Sequence, residues 1–222
     1  LAVHAAPVRE GLCGKNARYS LDSMGILTIS GSGPINDYDS STPSPLRGFE
    51  DKIKGMYVES GITRIGNNFC SFNHSLESVT LPSTVKEIGK YAFYNCRKLK
   101  TCNFPNGLTK IEQQAFWQCN LTKISLPSTL KELGDHCFEA NQKFSSLTIP
   151  GSVKRIGVDA FADCESLKNL TIENGVQSIG FGAFNCCYAL TRVTIPASVK
   201  EMEGYIFHLC KALTYCDIQG KI

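Results

Sequence analysis

A repeat of about 23 residues fills most of the chain and constrains its fold more than any other feature. The unit reads V-K-x-I-G-x-x-A-F-x-x-C-x-x-L-x-x-V-x-I-P-x-S, and one residue is missing from the third copy around Asn120. Successive copies begin at Ile62, Val85, Leu108, Leu130, Val153, Val176 and Val199. A unit this short cannot bury its own apolar face, whereas stacked copies bury a continuous one. The repeat therefore predicts a solenoid.

Each half of the unit carries its own structural signal. The second half, L-x-x-V-x-I-P, alternates apolar and polar residues, as a half-buried strand does, and its proline ends the strand. Stacked copies of this strand should form a parallel sheet along one side, at about 4.8 Å per strand. We interpret I-G as a turn and A-F-x-x-C as one short helical or 3₁₀ turn with its Phe pointing inward. The expected architecture is an α/β-type repeat array, with the sheet on one face and the short helical turns on the other.

The chain divides into two parts. Within the first 61 residues, Arg18–Leu21 and Ile26–Ile29 read as two strands around a turn, which predicts a β-hairpin-like N-terminal cap. A half repeat with the strand spacing of the unit follows, at Ile53, Met56 and Val58. We therefore expect residues 1–61 to form a cap with a half repeat, and residues 62–222 to form seven repeats of 22–23 residues.

The C-terminal end shows no comparable cap. Ile222 lies 23 residues after Val199, at the first position of an eighth repeat. We expect that the chain is part of a longer protein, with signal and anchor outside this segment. Self-association through the uncapped C-terminal end is the alternative, because an open strand edge invites pairing.

Charge and hydropathy disfavour several classes of partner. The net charge is only +3, from 23 Lys and Arg against 20 Asp and Glu, and no apolar run approaches the length of about 18 residues that a membrane helix needs. One column mostly alternates in sign, so neighbouring repeats should pair and no single-sign stripe for a phosphate backbone results. Its members are Arg64, Glu87, Lys110, Glu132, Arg155, Ser178 and Glu201. Neither nucleic acid nor membrane insertion is expected.

Eleven cysteines are many for a chain of 222 residues, and their odd number prevents complete pairing within one molecule. Nine occupy columns that the repeat turns inward, so we expect buried thiols that act as small apolar side chains. These nine are Cys70, Cys96, Cys102, Cys119, Cys137, Cys164, Cys187, Cys210 and Cys216, whereas Cys13 and Cys186 have no such column. One or more disulfides remain an alternative.

No motif points to catalysis. The sequence has no CxxC pair, H-E-x-x-H, G-x-S-x-G, Walker loop or EF-hand loop, and its four histidines fall in different columns. We therefore predict that the protein is not an enzyme, with no catalytic residue, no cofactor and no metal site.

The outward positions of the predicted sheet form the candidate binding face. They are rich in hydroxyl side chains, with Lys123, Arg192 and Tyr215 as the stronger contact groups, although Thr is common on any exposed strand face. The fourteen positions are Ser78, Thr80, Thr101, Asn103, Lys123, Ser125, Ser146, Thr148, Asn169, Thr171, Arg192, Thr194, Tyr215 and Asp217.

The repeat and the cap together resemble the BspA-like leucine-rich repeat family. The I-G-x-x-A-F-x-x-C pattern is similar to that family's unit, and the cap resembles its leader, except that Tyr19 stands where the family often has Trp. The matching cap residues are Cys13-Gly14-Lys15-Asn16, Leu21-Asp22, Gly25, Leu27-Thr28-Ile29, Gly31, Gly33 and Asp37-Tyr38.

The resemblance implies a leucine-rich repeat solenoid and a cell-surface or secreted protein of host-associated bacteria or parasitic protists. We expect a non-enzymatic adhesion module whose repeat array binds an extracellular protein or glycoprotein, with a fibronectin-like matrix protein as one candidate. Two alternatives stay open. The array could be a spacer that presents another region of a longer surface protein, or it could assemble with itself through the solenoid ends.

Overall fold

The computed structural model describes residues 6–220, which form seventeen strands joined by turns. The strands are β1 Pro7–Leu12, β2 Asn16–Asp22, β3 Ile26–Pro34, β4 Gly55–Val58, β5 Ile62–Ile65, β6 Ser78–Thr80, β7 Glu87–Ile88, β8 Thr101–Cys102, β9 Lys110–Ile111, β10 Glu132–Leu133, β11 Ser146–Ile149, β12 Arg155–Ile156, β13 Asn169–Ile172, β14 Ser178–Ile179, β15 Arg192–Ile195, β16 Glu201–Met202 and β17 Tyr215–Ile218. Successive repeats stack in parallel, which confirms the predicted solenoid.

Each repeat contributes a strand to a ladder on the side of the solenoid, and every repeat except the third also contributes one to the front. The front sheet contains the predicted strands β4, β6, β8, β11, β13, β15 and β17, and the side sheet contains β5, β7, β9, β10, β12, β14 and β16. The interpretation of I-G as a turn alone was incomplete, because the isoleucine and the residue before it pair with the next repeat, as in Arg155↔Ser178 and Ile156↔Ile179. The glycine that follows lets adjacent repeats approach closely: a Cβ on Gly157 would lie 2.5 Å from the carbonyl carbon of Gly134.

The turns on the remaining side contain no helix among residues 6–220, so the expected short helical or 3₁₀ turns were wrong. Two residues of each turn have positive φ, such as Tyr91 at 57° and Asn95 at 59°. The N–H groups of Tyr91, Phe93 and Asn95 donate to carbonyls of the next repeat at 2.7–3.1 Å. A helix would direct these groups to its own carbonyls four residues earlier. Stacking of turns replaces that pattern with hydrogen bonds between repeats.

The core is a stack of aromatic rings enclosed by the two sheets and the turns. The Phe column predicted to point inward does so, and the rings of Phe116, Phe138, Phe161 and Phe184 are fully buried. Neighbouring rings in this series lie nearly parallel with centroids 5.3–5.6 Å apart. Offset stacking of this kind adds to the free energy gained from burial alone.

The cap joins both ladders. Its predicted hairpin is formed by β2 and β3, and β1 adds an antiparallel strand that the sequence analysis did not predict. The first part of β3 pairs in parallel with β4, and Gly33 at its end pairs with Ile62 of β5. The cap thereby supplies a first strand to the front sheet and to the side sheet.

The front sheet is interrupted at the third repeat. Residues 121–126 form no strand, so β4, β6 and β8 belong to one sheet, and β11, β13, β15 and β17 belong to another. The predicted parallel sheet is therefore present on this face, but it is divided into two parts. The break coincides with the third repeat, which has 22 residues because one residue is missing around Asn120.

Candidate protein-binding face

The fourteen predicted face residues all lie on the front side of the solenoid. Thirteen have exposed side chains, and Asp217 is half-buried. From the fourth repeat onward they form two regular files across paired strands, with Ser146↔Asn169↔Arg192↔Tyr215 in one. The other file contains Thr148↔Thr171 and Thr194↔Asp217. Eight of the fourteen residues therefore share one continuous surface.

The break separates these eight residues from the rest of the face. Thr101 lies on the short strand β8, and Asn103 already lies beyond its end. Lys123 and Ser125 belong to the segment without a strand. The structure thus divides the predicted single strip into an N-terminal patch, an unpaired central segment and a regular C-terminal patch.

Asn103 is held by its side chain rather than by a strand. Its Oδ1 accepts the Leu81 backbone N–H at 2.7 Å, and its Nδ2 donates to the Leu81 carbonyl at 2.8 Å. The amide thereby replaces the backbone partner that β8 would otherwise supply to the end of β6. This substitution explains why β8 ends at Cys102.

Arg192 and Tyr215 form the most defined contact on the regular patch. The guanidinium carbon of Arg192 lies 5.0 Å from the centroid of the Tyr215 ring, a cation–π geometry. Both side chains remain exposed. A partially preorganised Arg–Tyr pair is a typical composition for a protein-binding hot spot.

A basic edge borders the front sheet, and the sequence analysis missed it. Its residues lie just before the front strands in repeats two, four and five and within the unpaired segment of repeat three, and all are exposed: Arg97, Lys98, Lys100, Lys123, Lys143 and Lys168. Two acidic residues lie among them. Glu77 pairs with Lys100 at 3.1 Å, and Glu165 accepts a hydrogen bond from Gln142 at 3.0 Å. No single column of the repeat is basic, because the members of this edge occupy neighbouring columns. The edge was therefore not predicted from the sequence.

The column of alternating charges that was predicted from the sequence lies on the side sheet. Two predicted pairs are present: Arg64 to Glu87 at 3.4 Å and Lys110 to Glu132 at 3.2 Å. Arg64 also binds Asp37 of the cap and Glu112 two repeats away. Burial alone would raise the pKa of Asp37, but hydrogen bonds from Arg64 and the Asn67 N–H outweigh it, so that pKa is lowered.

The cysteines are free thiols, and ten of the eleven are buried. The exception, Cys216, was predicted to be buried and is exposed, because it lies on β17, the last described strand, with no strand packed on its outer side. The thiols of Cys96, Cys119, Cys164, Cys187 and Cys210 each donate to a carbonyl of the preceding repeat at 3.2–3.5 Å. Burial raises the pKa of Cys13 to about 12 and that of Cys137 well above its usual value. These cysteines are therefore structural.

An aromatic cluster on the turn side is a second surface that the sequence analysis did not identify. Tyr94 stacks on Trp117 with ring centroids 4.6 Å apart, and the exposed ring of Phe72 meets Tyr94 edge-on at 5.3 Å. The available signal was the presence of large aromatic residues at variable turn positions of consecutive repeats. The cluster places three large aromatic side chains side by side on the turn side, away from the front sheet.

An open concave feature of about 530 Å³ lies between residues 38–50 of the cap and the first repeat, beside Tyr38, Arg47 and Phe69. A second, of about 420 Å³, lies on the side sheet and is lined by charged side chains such as Lys110, Glu132 and Arg155. Between residues 6 and 220, no three His, Cys, Asp or Glu side chains come together as a metal site would require. In the same part of the chain, no helix is long and apolar enough to span a bilayer.

Solved structures with the same fold come from several bacteria. A leucine-rich repeat protein from Bacteroides ovatus matches 94% of the chain with 25% identity and a TM-score of 0.72, and the match spans 53% of that protein. The T. pallidum leucine rich repeat protein matches 94% of the chain with 25% identity and a TM-score of 0.68, over 90% of its own length. A leucine rich cell surface protein from Faecalibacterium prausnitzii shares the fold at 22% identity and a TM-score of 0.61, covering 97% of this chain and 56% of its own.

The chain therefore spans only about half the length of the Bacteroides and Faecalibacterium proteins. No curated protein sequence is significantly similar to it. The family model of the BspA type leucine rich repeat region, six copies long, matches residues 63–147 and 134–222. The chain belongs to the BspA-type leucine-rich repeat family.

Proposed function

We propose that the chain is a non-enzymatic adhesion module that binds an extracellular protein or glycoprotein through its front sheet. The observation that carries this proposal is the regular C-terminal patch, where eight predicted face residues lie side by side on paired strands and seven of them are exposed. Such a surface binds by area and by many polar contacts rather than by a deep pocket. Leucine-rich repeat proteins are suited to this kind of protein binding.

A position at the cell surface or outside the cell is part of the proposal. It is supported by membership of the BspA-type family and by the fold shared with a protein described as a cell surface protein. A matrix protein such as fibronectin is a suitable first candidate partner, since a large extended glycoprotein can cover the whole patch.

The direct test measures binding of the chain to immobilised fibronectin, fibrinogen and laminin across a salt series. The test variant carries Lys123→Ala, Arg192→Ala and Tyr215→Ala. A matched control carries Lys90→Ala, Lys131→Ala and Tyr205→Ala, which are exposed residues outside the front sheet. Saturable binding that the test variant loses and the control retains would support the front sheet as the binding face.

Two other results would replace the proposal. Binding retained by the test variant would move the site elsewhere, with the aromatic cluster of Phe72, Tyr94 and Trp117 as the next surface to test. No binding to any panel member would favour a spacer. Self-assembly would appear as a mass above that of one chain, measured by light scattering.

A further inference from the structure

A groove crosses the front sheet between β8 and the unpaired segment 121–126. Its volume is about 360 Å³, its floor includes Cys102 and Phe104, and its walls include Lys100, Lys123 and Ser125. A second groove of about 350 Å³ lies on the other side of the same segment, next to β11. A third groove of about 330 Å³ lies between the paired strands β13 and β15, so the two grooves beside residues 121–126 differ from it in their unpaired backbone rather than in their volume.

The groove offers backbone groups that have no partner. Thr122 N–H still donates to the Lys100 carbonyl at 3.0 Å, but the backbone groups of residues 123–126 form no hydrogen bond with another backbone group between residues 6 and 220. The strand β11 likewise has no pairing partner on the side that faces this segment. Unpaired strand edges are the usual sites at which an extended peptide adds to a sheet.

The side chains around the groove select for negative charge. Lys98, Lys100, Lys123 and Lys143 are exposed along this part of the basic edge. Their one acidic contact among the described residues is the pair between Lys100 and Glu77, in which both side chains are about half exposed. Exposed pairs of this kind contribute little free energy, so a carboxylate of a partner can displace Glu77. The floor adds an apolar contact, because Cys102 and Phe104 are each 8% exposed.

We propose that this groove binds an extended acidic segment of a partner protein. The inference rests on the proposed function, since it places the partner on the same front sheet and names its chemistry. Backbone groups of the segment pair with residues 123–126, its carboxylates contact Lys100 and Lys123, and one small apolar side chain lies on the floor.

A peptide fits these features better than an anionic polysaccharide does. A polysaccharide has no amide N–H and carbonyl pattern that would satisfy the unpaired backbone of residues 123–126. It also favours a long uninterrupted row of cations, whereas Glu77 and Glu165 interrupt the basic edge on either side of the groove. The experiments below distinguish polysaccharide binding from peptide binding.

The test selects random twelve-residue peptides displayed on phage against the full chain. The test variant is Lys100→Ala with Lys123→Ala, and the matched control is Lys90→Ala with Lys131→Ala, two exposed lysines outside the front sheet. We expect acidic sequences to be enriched on the unmodified chain and on the control but not on the test variant. For a synthetic copy of the most enriched peptide, Kd should rise at least about tenfold with the test variant and stay within about twofold with the control.

Two further measurements test the backbone pairing. N-methylation of alternate residues of the peptide should raise Kd at least about tenfold, because it removes the N–H donors. Insertion of one residue after Asn120 restores the 23-residue spacing and should abolish peptide binding, with the thermal unfolding temperature measured to verify folding.

Enrichment of neutral or basic peptides, no enrichment, equal binding by the lysine variant, or equal binding by the N-methylated peptide would each overturn the inference. Competition by a heparin oligosaccharide that binds equally well to the insertion variant would assign the lysines to a polysaccharide site.

Failure of this inference is separable from failure of the proposed function. The pair Arg192→Ala and Tyr215→Ala leaves every groove residue unchanged. If it abolishes matrix-protein binding while no acidic peptide is selected, the adhesive face stands and the groove is not its peptide site. If acidic peptides bind the groove and no matrix protein binds the chain, the groove stands and the adhesion proposal falls.

Discussion

The Cys187 thiol donates a hydrogen bond to the backbone carbonyl oxygen of Phe161, 3.4 Å away in the preceding repeat. Asn141 occupies the same column, and its Nδ2 makes the equivalent bond to the Phe116 carbonyl at 2.7 Å. The column holds Cys in five repeats and Asn in two, and both side chains are small donors. The repeat therefore requires a donor at this position, which is why the cysteines here are structural.

Replacement of Cys187 by Ala should destabilise the fold by about 2 kcal/mol, because it leaves the Phe161 carbonyl unpaired and opens a small cavity. The measurement is the free energy of unfolding in urea. Cys216→Ala is the matched control, since that thiol is exposed, and its effect should stay within about 0.5 kcal/mol. Equal effects of the two substitutions would contradict the role of the hydrogen bond.

Thiol labelling should detect one fast-reacting cysteine in the native chain. Cys216 is exposed, whereas the other ten thiols are buried, so a reagent reaches only Cys216 unless the repeats open. A chromogenic disulfide reagent should therefore release about one equivalent quickly and the remainder only after unfolding. Cys216→Ser should remove the fast phase, and several fast equivalents would show that the repeats open readily.

Asp37→Asn should weaken the junction of the cap with the first repeats in a pH-dependent manner. The folded-state pKa of Asp37 is lowered by Arg64 and the Asn67 N–H, so its contribution is complete above the unfolded value near 3.9 and is lost as the pH falls through the folded value. Because Asp37 is 55% exposed, we expect a loss of at most about 1 kcal/mol at pH 7.

The check is the difference in unfolding free energy between the two chains from pH 7 to pH 2. That difference should shrink below about pH 4. Asp51→Asn, at an exposed aspartate of the same cap, is the matched control for removal of one negative charge. A difference that persists unchanged at pH 2 would exclude the charge of Asp37 as its cause.

Gly157→Ala should be among the most damaging small substitutions. The added Cβ would lie 2.5 Å from the Gly134 carbonyl carbon, so adjacent side-sheet strands must separate, at a cost of about 1–3 kcal/mol. Gly204→Ala is the control, because its Cβ would meet only the Phe181 ring at 3.4 Å. Thermal unfolding of both variants checks the prediction, and similar unfolding temperatures would refute it.

The front strands, the inward Phe column and the cap hairpin could be predicted because each produces a residue pattern that repeats along the chain. The side sheet could not, since strands of two residues such as Glu132–Leu133 are too short to show a periodicity. The left-handed turn positions also lack a signal, because Asn68, Tyr91, Gln114 and His136 share one column and have nothing chemical in common.

For the candidate face, too, the sequence pattern predicts some features and only the structure reveals others. Its fourteen residues follow from strand alternation, but no pattern reveals the unpaired backbone of residues 123–126 or the hydrogen bonds of the Asn103 side chain to Leu81. The basic edge forms because stacking brings residues of neighbouring columns side by side in three dimensions.

By itself, the sequence determined that repeats stack and which columns face inward, because a short unit can bury its apolar residues only against copies of itself. Only the tertiary structure decided where strand pairing is interrupted on the front face, at residues 121–126. Whether a strand pairs depends on the positions of both neighbouring backbones, and those positions are set by the whole array rather than by the residues of one repeat.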